Sequence, residues 1–393
     1  MKKYIFSIVV LSCLFIQNRA NAQEIELDTL LPEEEFIYEE LEGEVQEEFS
    51  DLESKVISES EFAIPSAPAF SLMGVTPELV PRPGVVRNFK VDWRIRDYMG
   101  APDLAIEALP VWMLFYNSGD LDKYRRSSGF GRMLSTLSFS LSTASFNSTN
   151  HLGYAVKLNL FRAKDPLNDQ SILDDFHQQI LEENADNDRL IEELEALLDR
   201  SESPEMRKVY RRQIKQLRQV NQETIRAKRT ELESIRQSYT AANWNASMLD
   251  IAYGKVYSYD RADIDSLGMV NEGYGLWLNG GIKSGRNGYI SGIVKLSRYG
   301  EVDAFQVGLS MRYGNPKYNF FLESFYERTT ETVDIDPEFD PFKFKQTNYR
   351  LSYGGDFRLS RSILLNFSLQ TRFEQGFKFR DFLPIANLTC LMR

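Results

Sequence analysis

The sequence predicts an all-β fold: a transmembrane β-barrel of about twelve antiparallel strands, interrupted by an inserted α-helical coiled-coil hairpin. Three observations carry this expectation. Short segments alternate strictly between apolar and polar residues, as strands between lipid and a wet lumen must. Charged side chains recur at mid-strand on the polar face, where a wet lumen tolerates them. After an N-terminal apolar run, no stretch reaches the roughly 18 apolar residues of a membrane-spanning helix.

The chain has 393 residues and a formal net charge of -11. An acidic balance of this size makes nucleic acid an unexpected partner, because phosphate binding needs a basic face. Residues 1–22 read as a secretory signal peptide. Lys2 and Lys3 form the charged start, Tyr4 to Ile16 the apolar core, and Ala20-Asn21-Ala22 the cleavage motif. Val10-Leu11-Ser12-Cys13 loosely resembles a lipoprotein box, but the apolar run continues past Cys13. Export would leave Cys390 as the one cysteine, with no intramolecular disulfide.

Residues 23–62 carry sixteen acidic residues and a single base, Lys55. That composition predicts a disordered acidic segment, or one that folds on a partner. Residues 63–85 contain Pro65, Pro68, Pro77, Pro81 and Pro83, which excludes a central strand or a long helix. They are expected to form an ordered linker against the periplasmic mouth of the barrel.

The barrel is expected over 86–393. Its strands are read at 86–97, 104–116, 131–146, 152–163, 246–259, 273–284, 288–299, 303–313, 317–329, 347–359, 362–375 and 383–393. Leu152, Tyr154, Val156, Leu158 and Leu160 share one face, with Lys157 and Asn159 on the other. Phe305, Val307, Leu309, Met311 and Tyr313 oppose Gln306, Ser310 and Arg312. In the first strand Phe89, Val91, Trp93 and Ile95 alternate with Lys90, Asp92, Arg94 and Arg96, although a short helix would also fit there. The last strand ends Cys390-Leu391-Met392-Arg393 rather than on the aromatic residue common in outer-membrane strands. Tyr253, Tyr257, Tyr259, Tyr289, Tyr299, Tyr313 and Tyr318 fall near strand ends and suggest an interfacial girdle. A soluble β-sandwich also alternates; the mid-strand charges and the tyrosines favour the membrane.

Between 165 and 245 the period changes to three and four residues, predicting two long helices over 168–200 and 204–240. Ser203-Pro204 suits a cap followed by proline at the first helical position. The first segment holds eleven acidic residues against two bases, the second ten bases against four glutamates. Opposite flanks of that kind favour antiparallel pairing. At 1.5 Å per residue each helix would reach roughly 50 Å. Counting strands back from the C-terminus puts the short turns, and the hairpin with them, on the periplasmic side.

Eleven residues are expected to line the lumen: Lys157, Asp250, Lys283, Arg312, Glu323, Glu327, Arg350, Asp356, Arg358, Arg372 and Glu374. Mixed signs suit an ion-pair network better than a selective pore. No spacing resembles a metal site and no glycine loop suits a phosphate, so neither cofactor nor metal is expected. The histidines are His151, read in a turn, and His177 on the first helix; neither joins an arguable Ser–His–acid grouping.

Pro68-Ala69-Phe70-Ser71-Leu72-Met73-Gly74-Val75-Thr76-Pro77, Arg82-Pro83-Gly84, Leu104-Ala105-Ile106-Glu107 and Leu160-Phe161-Arg162-Ala163-Lys164 together resemble a group of outer-membrane barrels from Bacteroidota-type bacteria. In that group a similar proline-containing segment precedes the barrel. The resemblance implies location and fold and brings no activity or site residues. The expected role is a non-enzymatic envelope component, set in outer-membrane lipid, whose residues 168–240 and 23–62 dock a periplasmic or envelope protein. A small-solute channel and a membrane-embedded hydrolase based on His151 are the alternatives.

Overall fold

A computed structural model describes residues 63–95, 103–116, 121–146, 149–169, 187, 189–259, 268–333, 342–374 and 378–392. The predicted signal peptide, the acidic segment, His177 and much of the first long helix lie outside these residues.

Twelve strands form one closed antiparallel barrel in which each strand pairs with its neighbours in sequence and β1 meets β12. They are β1 (Phe89–Ile95), β2 (Asp103–Ala108), β3 (Ser138–Phe146), β4 (Thr149–Arg162), β5 (Met248–Tyr259) and β6 (Val270–Ser284), followed by β7 (Gly288–Tyr299), β8 (Val302–Gly314), β9 (Tyr318–Val333), β10 (Phe342–Arg358), β11 (Ile363–Glu374) and β12 (Lys378–Met392). Closure leaves no unpaired edge. The expected number of strands is met, and the weakest expected strand, β1, closes the sheet with seven register pairs to β12.

Two expected strands are shorter than the alternation suggested. β2 stops at Ala108, and Pro110 opens the helix α2 (Pro110–Phe115), since proline fits a first turn that lacks hydrogen-bonded N–H groups. The stretch from 131 is helical first: α4 (Gly129–Leu134) is capped by the Ser128 hydroxyl, which accepts from the Gly131 N–H, and β3 begins at Ser138. Between them lies α3 (Leu121–Arg126).

Antiparallel order brings every second connection to one end of the barrel. The short turns 285–287, 315–317 and 359–362 lie there, and the connections between β2 and β3 and between β4 and β5 leave and rejoin the sheet at the same end. At this turn end Leu109, Trp112, Tyr116, Leu121 and Tyr124 form a small core with Val85, Leu167 and Leu232. Leu232 belongs to α5 (Pro204–Asn243), a 40-residue helix. Lys283 and Asn245 fasten the foot of α5 to the rim: Lys283 Nζ donates to the Ala242 carbonyl at 2.8 Å and Asn245 Nδ2 to the Gly288 carbonyl at 2.5 Å. Beside this core the Tyr124 hydroxyl donates to Asp165 at 2.6 Å, and Arg162 pairs with Asp165 at 2.8 Å. Burial alone would raise the Asp165 carboxyl, but the Arg162 and Arg87 guanidiniums outweigh it and hold the group below the usual carboxylate range.

Farther along α5, helical residues 189–200 pack against it through Ile191, Leu198 and Ile214. Asn187 meets Asn221 at 3.0 Å and Glu195 meets Arg218 at 2.8 Å.

Candidate functional site: the filled lumen

Alternation along the strands sorts two faces. Outward, Leu276, Leu296, Phe305, Leu309, Phe320 and Leu322 are exposed. Inward, the wall is polar and charged: Lys90, Asp92, Glu107, Lys157, Asp250, Lys295, Arg312 and Glu323 are all buried. Charges at this depth cost several kcal/mol each unless paired and hydrogen-bonded.

Their partners come from the proline-rich segment. Residues 63–87 do not form a linker against the mouth; they run inside the barrel. Ala63 and Gly84 lie side by side: a Cβ on Gly84 would sit 3.2 Å from the Ala63 carbonyl oxygen. The segment therefore passes inward and returns to the same level before joining β1. At its inner reach is the short helix α1 (Pro68–Met73).

The wall caps this helix, because its own sequence does not. Ala67, at the N-cap, has no side-chain oxygen to offer, and Asp92 of β1 accepts the Ala67 N–H at 2.7 Å. At the other end Lys295 of β7 donates to the Ser71 and Leu72 carbonyls at 3.1 and 2.9 Å, and the Tyr299 hydroxyl donates to the Leu72 carbonyl at 2.7 Å. Anion at the start and cation at the end follow the polarity of exposed N–H and C=O groups. Gly74 then turns the chain in the left-handed region at φ 67°.

The returning limb is held in the same way. Glu323 accepts the Leu79 N–H at 2.6 Å, and Asp250 accepts the Gly84 N–H at 3.0 Å. Ser368 and Gln370 donate to the Pro77 carbonyl at 2.6 and 2.9 Å, Asn279 to the Pro81 carbonyl at 2.9 Å, and Lys157 to the Gly84 carbonyl at 3.0 Å. Five prolines remove five N–H donors that a buried segment would otherwise have to satisfy.

Two ion clusters anchor the plug. Lys90 lies 2.5 Å from Glu107 and donates to the Pro65 carbonyl at 2.6 Å, while Lys157 reaches Glu107 at 3.2 Å. On the other side Arg312 pairs with Glu78 of the plug, with Asp356 at 2.8 Å and with Glu323 at 3.5 Å. Apolar plug side chains seat over wall glycines. A Cβ on Gly254 or Gly275 would stand 2.7 or 2.6 Å from Leu72. Between plug and wall, an internal cavity lined by Thr76, Glu78, Trp277 and Lys295 measures about 40 Å³, room for roughly one water.

Of the eleven expected lumen residues, Lys157, Asp250, Arg312, Glu323 and Asp356 are buried at the plug. Glu327 and Arg350 are half-buried and pair at 3.4 Å, and Arg372 pairs with Asp381 at 2.9 Å. Arg358 is half-buried at the turn-end mouth. Lys283 is a correction: it is exposed at the rim, because β6 runs past the filled lumen before it ends. Glu374 stands opposite Lys378 in the β11–β12 ladder, and its side chain lies outside the described residues.

Two girdle tyrosines are also corrected. Tyr289 is 1 % exposed and faces inward under Arg82, and Tyr299 serves the plug helix. His151 lies within β4 and not in a turn, with its side chain buried. Its cross-strand neighbour Ser258 donates its hydroxyl to Glu272 at 2.5 Å, an order unlike a nucleophile–base–acid relay. Sequence reading missed Lys90, Asp92, Glu107 and Lys295 as lumen residues. Their signal was the polar phase of β1, β2 and β7.

Fold and site thus define a plugged, closed twelve-stranded antiparallel barrel. No protein-family model matches the chain, and no curated protein matches it. Among solved structures, it is similar to the NanC porin at 7% identity and TM-score 0.32, covering 78% of this chain and 99% of that one. It is similar to the N-terminal barrel domain of Pseudomonas aeruginosa OprF at 11% identity and TM-score 0.22, covering 38% and 98%. The β domain of the Bordetella autotransporter BrkA gives 9% identity and TM-score 0.27, covering 78% and 100%. Scores this low add nothing to the barrel that the strand ladder itself defines.

Proposed function

We propose that the protein is a non-conducting, non-enzymatic outer-membrane anchor that presents a two-helix coiled-coil arm to an envelope partner on the periplasmic side. The plug is the observation that carries this reading. Its backbone is hydrogen-bonded to wall residues from β1 round to β11, and the cavity between it and the wall beside Trp277 and Lys295 measures about 40 Å³. A solute channel needs a continuous wet path, so this geometry supports an anchor over a pore. The outward face supports lipid as its surroundings: a contiguous apolar belt around a barrel is untenable in water, and strands of 12 to 17 residues from β4 through β12 exceed the 9–11 needed to span.

The arm is the docking element in this reading. Leu190 and Leu197 on one helical stretch, and Met206, Val209 and Val220 on α5, remain 44–48% exposed after the two pack together. Leu190, Leu197 and Val220 line a shallow groove of about 400 Å³ together with Leu194 and Leu217. Excision of 188–220 tests this without disturbing the barrel, because Asn187 and Asn221 already meet across the cut. The variant is expected to insert and fold normally while losing cross-linked envelope partners. Retention of the same cross-linked partners would remove the arm from the docking role.

A further inference from the structure

We infer that the short helices α2 and α4 form an apolar shoulder that sinks into the lipid interface beside the barrel rim, with the bilayer as its partner. The inference rests on the membrane reading above and adds to it a lipid contact outside the strands.

The sequence of α2 is apolar all round. Pro110 to Phe115 contains no charged or hydrogen-bonding side chain apart from the indole of Trp112. Only one side of the helix is covered by protein. Leu109, Trp112 and Tyr116 belong to the end core, together with Val85 at the exit of the plug and Leu232 of α5. Trp112 stacks on Tyr116 at 5.5 Å and meets Tyr124 edge-on at 5.7 Å, which fixes the rotation of the helix about its axis. At about 100° per residue Leu114 then lies opposite the buried side. It is 75% exposed, and its neighbours Phe115 and Met113 are 61% and 43% exposed. The buried side looks toward the plug exit, within the ring of strands, so the exposed side looks away from the barrel axis. A helix with apolar residues on every side belongs in an apolar surround on every side.

α4 extends the same surface. The Tyr116 hydroxyl donates to the Gly131 carbonyl at 3.4 Å and ties α4 to α2. Phe130 of α4 is 65% exposed. Scattered exposed apolar residues are ordinary, but a group of large ones on linked helices marks an interaction surface.

What adjoins the group identifies its occupant. α4 leads through three residues into β3, and the Asn159 N–H of β4 donates to Thr136 Oγ1 at 3.1 Å, holding that link against the strand. At the same end of β3 and β4, the exposed Phe139, Leu160 and Phe161 stand on the outward face. The apolar outer surface of these strands therefore continues onto α4 and α2. A protein partner would have to cover helices and strands together, whereas a bilayer that takes up the strands meets the shoulder at its own boundary. Amphipathic elements in that position bury their apolar side about 5–10 Å into the headgroup region.

The test reads depth directly. Full-length protein in a Cys390→Ser background carries a single bimane-labelled cysteine, introduced by Leu114→Cys, Phe130→Cys, Leu309→Cys or Ser203→Cys, in phosphatidylcholine nanodiscs. All four replaced residues are exposed, so no label enters the core. Leu309 on the outward face of β8 reports on the membrane reading, and Ser203 at the start of α5 is the water-exposed reference. The labels at 114 and 130 are expected to be quenched by phosphatidylcholine bearing a nitroxide near its headgroup, and at least about threefold less by aqueous iodide than the label at 203. Iodide quenching equal to that at 203, with no nitroxide effect, would overturn the shoulder. Protection from both quenchers would also overturn it, by assigning the surface to a protein such as a second copy of the chain. Nitroxide quenching at 309 with none at 114 and 130 would leave the membrane reading intact and sink this inference alone. Absence of nitroxide quenching at 309 as well would sink both.

Discussion

Single side chains decide whether the lumen is filled or open. Arg312 holds three carboxylates, those of Glu78, Glu323 and Asp356. Arg312→Met would leave buried carboxylates without a cation, a loss of about 3–5 kcal/mol. Thermal unfolding of the purified protein should then show a clearly lowered midpoint; an unchanged midpoint would mean the cluster contributes little. At Gly275 the outcome is steric. A valine there would drive into Leu72, with an overpacking cost of about 1–3 kcal/mol and a plug more open to proteolysis. Asp165 supplies the pH dependence of the end core. Its folded value lies below the unfolded one of about 3.9, so its contribution is complete above that pH and is lost as pH falls through the folded value. Fluorescence of Trp112, packed in the same core, should change through that acid range in the wild type and not in Asp165→Asn. Which of these residues share a face was legible in the sequence, because period two places them. Their partners were not: nothing in Arg312 points to Glu78, and nothing in Glu323 to the Leu79 N–H, each more than 200 positions away.

Elements were legible to the degree that their period was. Strands β3 to β12 follow alternating runs that an apolar outer face and a polar inner face impose, and their expected faces are those observed apart from Tyr289 and Tyr299. Tyrosine reads equally well as a girdle residue or as a lumen filler with a hydroxyl to place, so its residue type alone does not choose. The end of β2 was misread because Pro110-Val111-Trp112-Met113-Leu114-Phe115 is apolar without a break, and such a run suits either a strand or a buried helix. The plug was the least legible element. It has no period, since much of its backbone is held by wall side chains from many strands and not by a regular ladder. Prolines announce only what the segment cannot be. For the arm, the sequence side predicts where it projects. Ser203→Cys in a Cys390→Ser background should react with a membrane-impermeant thiol reagent only after the outer membrane is opened. Labelling on intact cells would place the turn end outside.

At the scale of the whole molecule, the barrel resembles a sealed wall with one end elaborated. The turn end carries the helices α2 to α4 and the foot of α5, and the plug passes in and out through the same end. In the proposed reading the strands supply the insertion surface and the plug fills the lumen, which leaves the arm as the large exposed element among the described residues. This division of labour stands or falls with the seal. The most direct measurement is therefore the conductance of the purified wild-type protein in planar lipid bilayers. A plugged barrel inserts, shown by recovery with the membrane and resistance to extraction, and gives no steady open-channel steps. Steady steps of defined size from the wild type would contradict the account, because a wet path would then run through the space that residues 63–87 fill.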